Sequence, residues 1–498
     1  MNVNPITRLD YPDPDVIRVE DTYYMVSTTM HFMPGCEILQ SFDLVHWEHA
    51  TYVYETLDHT DAQQLKSGQN IYGQGMWAAS LRYHEGRFYI CFVANDTRKT
   101  YLYTSEKIDG PWKKQLIEGF YHDGSLLFDE DGRNYIVYGN DEIWITELNE
   151  DLTAPKKDGL HRLLVSDHKN PELGYEGSHI QKINGYYYIF LIHSLRDRWM
   201  RTEACFYSDS LEGEFTGGDV LCDDRGYCGQ GVAQGGIVDT PDGKWYAMLF
   251  QDSGAVGRIP ILVPVTWKDH FPFFGQNGHV PEEIEVHSTR PGYIYQPLVG
   301  SDDFCNGLLP RWQFNHDPDP RYYHLDALQG TYTITTREVC TELTQAVNTL
   351  TQRMSYPSCA AEVTVDASAL KEGDVAGLCA LQSCYAAVGI TKHHGKYEVL
   401  MLDKKEDGIL DMTDGTVVES HQMDFRLEAD FCNMKDEARC YYRVNKGDWL
   451  PIGTVHKLYF KLDHFTGCRF GLFCYAAEET GGSACFRDFK YYDVDEIS

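Results

Sequence analysis

Several things are missing from this 498-residue sequence, and each absence removes a class of protein. No apolar run approaches the roughly 20 residues that a membrane-spanning helix needs. The first residues, Met1-Asn-Val-Asn-Pro-Ile-Thr-Arg-Leu-Asp, lack a basic segment followed by an apolar one, so no export signal is read and a cytoplasmic protein is expected. The 15 Cys are an odd number and none are spaced as C-x-x-C. A secreted disulfide framework or a zinc site is therefore disfavoured, and buried or free thiols in a reducing compartment fit better. Basic residues are scarce, with 43 Lys and Arg against 75 Asp and Glu and a formal net charge of −32. Nucleic acid and anionic membrane surfaces are poor partners for such a chain, whereas a neutral ligand is compatible with it. Low-complexity tracts and sustained helical periodicity are also absent.

Gly and Tyr are abundant, at 43 and 34 residues, and aromatics make up 13%. That composition suits short strands joined by tight turns. Five stretches repeat one pattern: a first residue, a short aliphatic run, a turn, then a strand rich in Tyr. They begin at Asp13, Trp77, Asp123, Glu176 and Gln234. A Tyr follows the first residue by twelve positions in four of them, at Tyr89, Tyr135, Tyr188 and Tyr246; in the first stretch Tyr24 follows by eleven. Each stretch reads as a β-hairpin, and spacings of 46 to 64 residues between the first positions fit four-stranded propeller blades. A β-helix is the alternative, but its repeat is shorter and more regular.

The expected fold is all-β: a five-bladed β-propeller over residues 1–297, followed by a concanavalin-like β-sandwich over 298–498. In the second region strands are expected at Tyr332–Thr335, Ala361–Val365, Ala386–Ile390, Lys457–Leu462 and Arg469–Cys474, with alternation and poor helical periodicity. Asp303-Phe304 and the closing Arg487-Asp-Phe-Lys-Tyr-Tyr echo each other, which suits a sandwich whose ends pair.

Equivalent positions of propeller blades lie on a ring about the axis. Asp13, Trp77, Asp123, Glu176 and Gln234 should then converge at one mouth of the channel. Three carboxylates around one cavity raise one another's pKa and are costly unless the site uses them. Glycoside hydrolysis uses such a set: a general acid on the leaving oxygen and a second carboxylate that activates water or attacks directly. The ring order assigns Asp13 as general base, Glu176 as general acid and Asp123 as the neighbour that tunes the acid. An Asp between prolines is otherwise an ordinary turn residue, and Asp10 and Asp15 are rivals for the base; Glu172 is a weaker rival for the acid.

The motifs Tyr11-Pro-Asp-Pro-Asp-Val-Ile-Arg, Met33-Pro-Gly, Ser41-Phe-Asp-Leu-Val-His-Trp, Gly75-Met-Trp-Ala-Ala-Ser, Asp123-Gly-Ser-Leu-Leu-Phe-Asp-Glu-Asp-Gly and Tyr175-Glu-Gly-Ser-His resemble glycoside hydrolase family 43, in its β-xylosidase and α-L-arabinofuranosidase branch. The resemblance spans nearly the whole chain. It implies an inverting glycosidase acting on pentose chains, with its base at Asp13, its pKa modulator at Asp123 and its acid at Glu176. It also implies a substrate-binding Arg258, aromatic walls at Phe32 and Trp77, and Gln234 in the channel where many relatives carry His. No cofactor is required; a calcium ion in the channel could take the amide oxygen of Gln234 as a ligand. The leading expectation is exo-release of terminal xylose from β-1,4-xylo-oligosaccharides. An α-L-arabinofuranosidase, alone or as a dual activity, is the alternative, and a non-catalytic sugar-binding propeller is a further one. Relatives with this architecture often associate, so a homo-oligomer is compatible with it.

Overall fold

Each repeated stretch opens a four-stranded antiparallel sheet in a computed structural model that describes residues 3–413 and 415–493. The expected outer limits at Met1 and Ser498 lie outside them. The inner strands are Asp15–Val19, Met76–His84, Ser125–Phe128, Glu176–Ile183 and Val232–Asp239, called blades one to five. The inner strands of blades one and five pack on each other, which closes the ring. A second device fastens the closure. The segment before blade one runs along the third strand of blade five, Arg258–Lys268, where Ile6 N–H donates to Pro260 O at 2.9 Å and Tyr11 N–H to Arg258 O at 3.0 Å.

The blades bury Val, Ile and aromatic side chains between them, such as Tyr135 and Ile189, both fully buried. Each such side chain contributes about 1.5–3 kcal/mol relative to exposure. Helix is confined, among the described residues, to four three-residue 3₁₀ turns.

The repeats are not in one register, and this corrects the simple ring. The Tyr twelve residues after Asp123 pairs with Leu127, but the Tyr twelve residues after Glu176 pairs with Gln181. The hairpin turn has two residues in blades two and four against five in blades three and five, which brings the Tyr one position nearer; the β-bulge between Glu176 and His179 recurs in blades two and five and does not separate the two kinds. Counted from the paired strands, the residues equivalent to Asp13, Asp123 and Gln234 are therefore Ala78 and Gly177. Trp77 and Glu176 stand one position earlier.

The second region is a sandwich of a nine-stranded and a seven-stranded sheet. Its core includes Leu350, Leu378, Phe425, Phe470 and Phe486, all fully buried. The two ends meet at a bridge, with Asp302 and Phe489 exchanging backbone hydrogen bonds of 2.9 and 3.0 Å. Four of the five expected strands form; Lys457–Leu462 does not. The strand there is Leu450–Lys457, and residues 458–468 leave the sheet edge and cross to the propeller. The alternation misleads because Leu458 is buried in the sandwich core while Leu462 is 75% exposed on the crossing loop.

The propeller also lends a strand to the sandwich. Phe32–Met33 pairs with Gln313–Asn315 at the edge of the nine-stranded sheet. Nearby, Arg353 and Glu37 form a buried ion pair across the two regions at 2.8 Å. Removing one partner would leave a buried unpaired charge, so such a pair fixes how the regions meet more than it stabilises them.

Candidate active site

Asp13, Asp123 and Gln234 all take left-handed backbone conformations, with φ of 52°, 48° and 58°. A residue with a Cβ pays for this, Asp less than most, and such strain gathers at functional sites. In blade four the equivalent residue is Gly177, at φ 65°, which carries Glu176 just ahead of it. A Cβ on Gly177 would meet the Gln234 carboxamide at 2.7 Å, so this blade reaches the channel mouth through a residue without a side chain.

Both oxygens of Asp13 are held. Thr28 Oγ1 donates to Oδ2 at 2.6 Å and Arg258 Nη1 to Oδ1 at 2.9 Å. Thr28 is fixed in turn by Ala78 N–H at 2.8 Å. Arg258 is 2% exposed, and its guanidinium lies between two rings, 4.3 Å from the centre of Phe465 and 5.4 Å from that of Phe250. Asp10 braces this corner from behind, accepting from Arg258 N–H and from Gly467 N–H, each at 2.7 Å. Asp10 is thereby committed to the backbone of two segments, and Asp15 to a different network, so Asp13 alone of the three faces the site. Glu172 is exposed.

Asp123 accepts from Gly177 N–H at 3.0 Å. Burial, above all, and then the charges of Glu176 and Asp13 push its carboxyl up to about 6 against the opposing pull of His122. Glu176 is half-buried and accepts from Asn140 Nδ2 at 2.6 Å. His122 stands between them, its Nε2 3.6 Å from Asp123 and 3.5 Å from Glu176. The Asp123 charge, against the cost of burial and with help from Glu176, lifts His122 to about 9. The sequence expectation put the tuning on the acid through an anionic neighbour; the structure adds an imidazolium to that neighbourhood.

Trp77 is half-buried, with its ring 5.4 Å from Phe465 and 6.2 Å from His122. Phe465 comes from the loop that crosses from the sandwich. That loop is pinned by Tyr72, stacked on His464 at 3.9 Å with an interplanar angle of 1°. Gln234 is buried in the channel, and its backbone N–H donates to Glu203 at 2.7 Å. Glu203 is fully buried, and burial raises its pKa well above the ordinary range.

The structure thus brings together Asp13, Asp123, Glu176, Trp77, Gln234 and Arg258. It leaves Phe32 out. Phe32 is 2% exposed and packs with sandwich residues, its ring 3.4 Å from the Arg469 guanidinium, because its two-residue strand belongs to the sandwich sheet.

The donor set fits a channel metal poorly. The oxygens that could serve a cation are already shared by Arg82, which donates to Asp15 at 2.7 Å, Leu81 O at 2.6 Å, Leu126 O at 2.9 Å, Ser125 Oγ at 2.7 Å and Ile180 O at 3.1 Å. This guanidinium joins blades one to four as a bound cation would. Burial alone would push Asp15 up, but Arg82 and His179 bring it down to about 2. Among the described residues, the cluster spaced to hold an ion is His122, Asp123 and Glu176, and there the His is itself held cationic.

With the geometry in view, comparison with known proteins decides the family. The profile of glycosyl hydrolases family 43 matches residues 3–272, and that of the β-xylosidase C-terminal concanavalin A-like domain matches 301–492. This chain belongs to glycosyl hydrolase family 43. It is similar to a solved structure described as a bifunctional GH43-CE from Bacteroides eggerthii, at 42% identity and a TM-score of 0.92, covering 99% of this chain and 63% of that one. The chain therefore spans about two thirds of that longer protein. A second structure, of an engineered family 43 enzyme described as displaying both endo-xylanase and exo-arabinofuranosidase activity, shares 27% identity and a TM-score of 0.86 over 99% of both chains. A curated relative, the β-xylosidase of Formosa agariphila, is 26% identical over 99% of this chain and 89% of its own.

Family membership does not by itself point to the residues that sequence reasoning passed over. Phe465 lies more than 200 positions beyond Arg258 with no motif around it. Asn140 and Arg82 are single polar residues whose roles appear only when blades meet, and that of Thr28 appears only when blade one folds it onto Asp13. Arg82 alone carries a signal, since an Arg in the middle of an inner strand must find partners inside the channel.

Proposed function

We propose that this protein is an exo-acting, inverting glycosidase that releases terminal xylose from β-1,4-xylo-oligosaccharides. The observation that carries the reading is the carboxylate trio drawn from blades one, three and four. One member is clamped by Arg258 and Thr28, and the other two meet around His122. In this reading Asp13, oriented through both oxygens, takes the proton of the attacking water. Glu176 protonates the leaving oxygen. Asp123 holds Gly177 and the neighbouring charges so that Glu176 keeps its orientation. Arg258, buried behind Asp13, orients that carboxylate, and Trp77 with Phe465 supplies the apolar wall. The crossing loop of the sandwich covers one side of the site, which favours removal of end residues over cleavage within a chain.

Glu176→Gln tests the acid. Turnover of xylobiose should fall about 10²–10⁴-fold, and less for an aryl xyloside whose leaving group needs no proton. Full turnover of xylobiose by the variant would sink the assignment. Proton NMR of the first sugar released tests inversion: α-xylose should appear first from a β-xyloside. A second reading, α-L-arabinofuranosidase, is supported by the engineered relative described above, and the trio would serve either pentose. Paired assays on aryl β-xyloside and aryl α-arabinofuranoside separate the two, with activity on the arabinoside alone overturning the xylosidase reading.

A further inference from the structure

Trp199 is a large apolar side chain left 45% exposed on the loop that joins the second and third strands of blade four. The strand before that loop ends beside Glu176, which pairs with Ile192, so the loop stands on the rim at the active-site end of the propeller. Its neighbours make this more than a stray surface aromatic. The Arg201 guanidinium lies 5.5 Å from the Trp199 ring and 5.0 Å from the Phe250 ring. The other guanidinium on Phe250 is that of Arg258, at 5.4 Å. An alternating stack of ring and guanidinium thus runs from the rim to the group that clamps Asp13.

The stack is anchored. Arg201 is 9% exposed and ion-paired with Asp252 of blade five at 2.9 Å. The loop is closed by Leu195 N–H on Met200 O at 3.1 Å, and tied to the preceding rim loop by Asn170 on Ser194 O at 2.8 Å and by Arg196 on Asp167. An indole held rigid and still exposed presents an apolar face with little conformational entropy left to lose, which is what a pyranose ring stacks on.

We propose that Trp199 is the platform of a distal subsite for the pentose residues on the leaving-group side of the scissile bond. The proposal rests on Glu176 as proton donor, which places the leaving group on the blade-four side. Two whole side chains, Arg201 and Phe250, stand between Trp199 and Arg258, which sets the indole apart from the group that clamps Asp13. The platform therefore lies beyond the first leaving-group residue, and short substrates do not reach it.

The test compares xylobiose with xylotetraose. Trp199→Ala should raise KM for xylotetraose roughly tenfold and leave kcat/KM for xylobiose within about twofold, as expected for one lost apolar contact. Trp199→Phe should recover most of the loss. Unchanged xylotetraose kinetics, or an equal fall on both substrates, would overturn the proposal. If the parent protein hydrolyses no pentoside, the catalytic reading fails, and the platform is then decided by calorimetric titration of xylotetraose. Weaker binding to Trp199→Ala than to the parent supports it, and equal or undetectable binding to both overturns it.

Discussion

Asp13 and Asp123 occupy equivalent places in blades one and three. Each precedes an inner strand by two residues, each is left-handed, and each is 6% exposed. Their surroundings differ in kind. Asp13 meets a guanidinium and a hydroxyl, one for each oxygen. Asp123 meets a backbone N–H, an imidazole and a second carboxylate, and its pKa rises to about 6. One backbone position thus presents the same side chain twice, and only the partners around it, from its own blade and from its neighbours, separate the proposed base from the proposed electrostatic neighbour. What a carboxylate does here is set by who faces it.

The strongest way to break that comparison is to neutralise each member in turn. Asp13→Asn keeps the shape and removes the proposed base, so kcat on xylobiose should fall about 10³–10⁴-fold with KM little changed. Asp123→Asn removes only the neighbour. Its loss should be near the lower end of general acid–base effects, about 10²-fold, with a displaced pH profile. Equal losses for the two would mean that the environments do not divide the roles. Next in size is Phe465→Ala, which strips the sandwich's contribution from the wall and from Arg258. KM should rise roughly tenfold, with kcat falling less. A change confined to kcat would place Phe465 in the chemistry and not in binding.

The architecture and the equivalent places of Asp13, Asp123 and Gln234 were legible in the sequence because the blade repeats itself. A first residue followed by a Tyr at a fixed distance marks the head of an inner strand whether or not the register is right. The shorter turns of blades two and four bring Tyr89 and Tyr188 one position nearer, so a count of twelve hides the shift that puts Gly177, not Glu176, in the place of Asp123. The partners were not legible for a different reason. Asn140 and Phe465 act across blades or across domains, and no local spacing encodes a contact of that range; Thr28 bonds Asp13 inside blade one, but a lone Thr after a strand carries no mark of it. Lys457–Leu462 illustrates the cost: its alternation is that of a strand, yet the chain there is leaving the sheet to carry Phe465 to the propeller.

The smallest expected effect sharpens the comparison most, because it isolates the group that Asp123 has and Asp13 lacks. His122 is lifted to about 9 by Asp123 and Glu176 from an ordinary value near 6.5. A cation favoured by the fold stabilises it fully below the unfolded pKa, and that contribution is lost as pH rises from about 6.5 to about 9. The upper bound is about 3 kcal/mol. Asp123 acts in the same sense at lower pH. Its carboxyl is harder to ionise folded than unfolded, so stability falls as pH rises from about 4 to 6. His122→Asn should therefore lower the melting temperature at pH 6, flatten its decline between pH 6.5 and 9, and bring parent and variant together above that range. Activity should move the other way on the pH axis. Losing the cation removes the group that pulls the Asp123 carboxyl down and takes a positive charge out of the site, so the alkaline limb of the rate profile should shift to higher pH. Melting curves that decline in parallel, with an unmoved alkaline limb, would mean that His122 is a spacer and that burial and neighbouring anions alone distinguish Asp123 from Asp13.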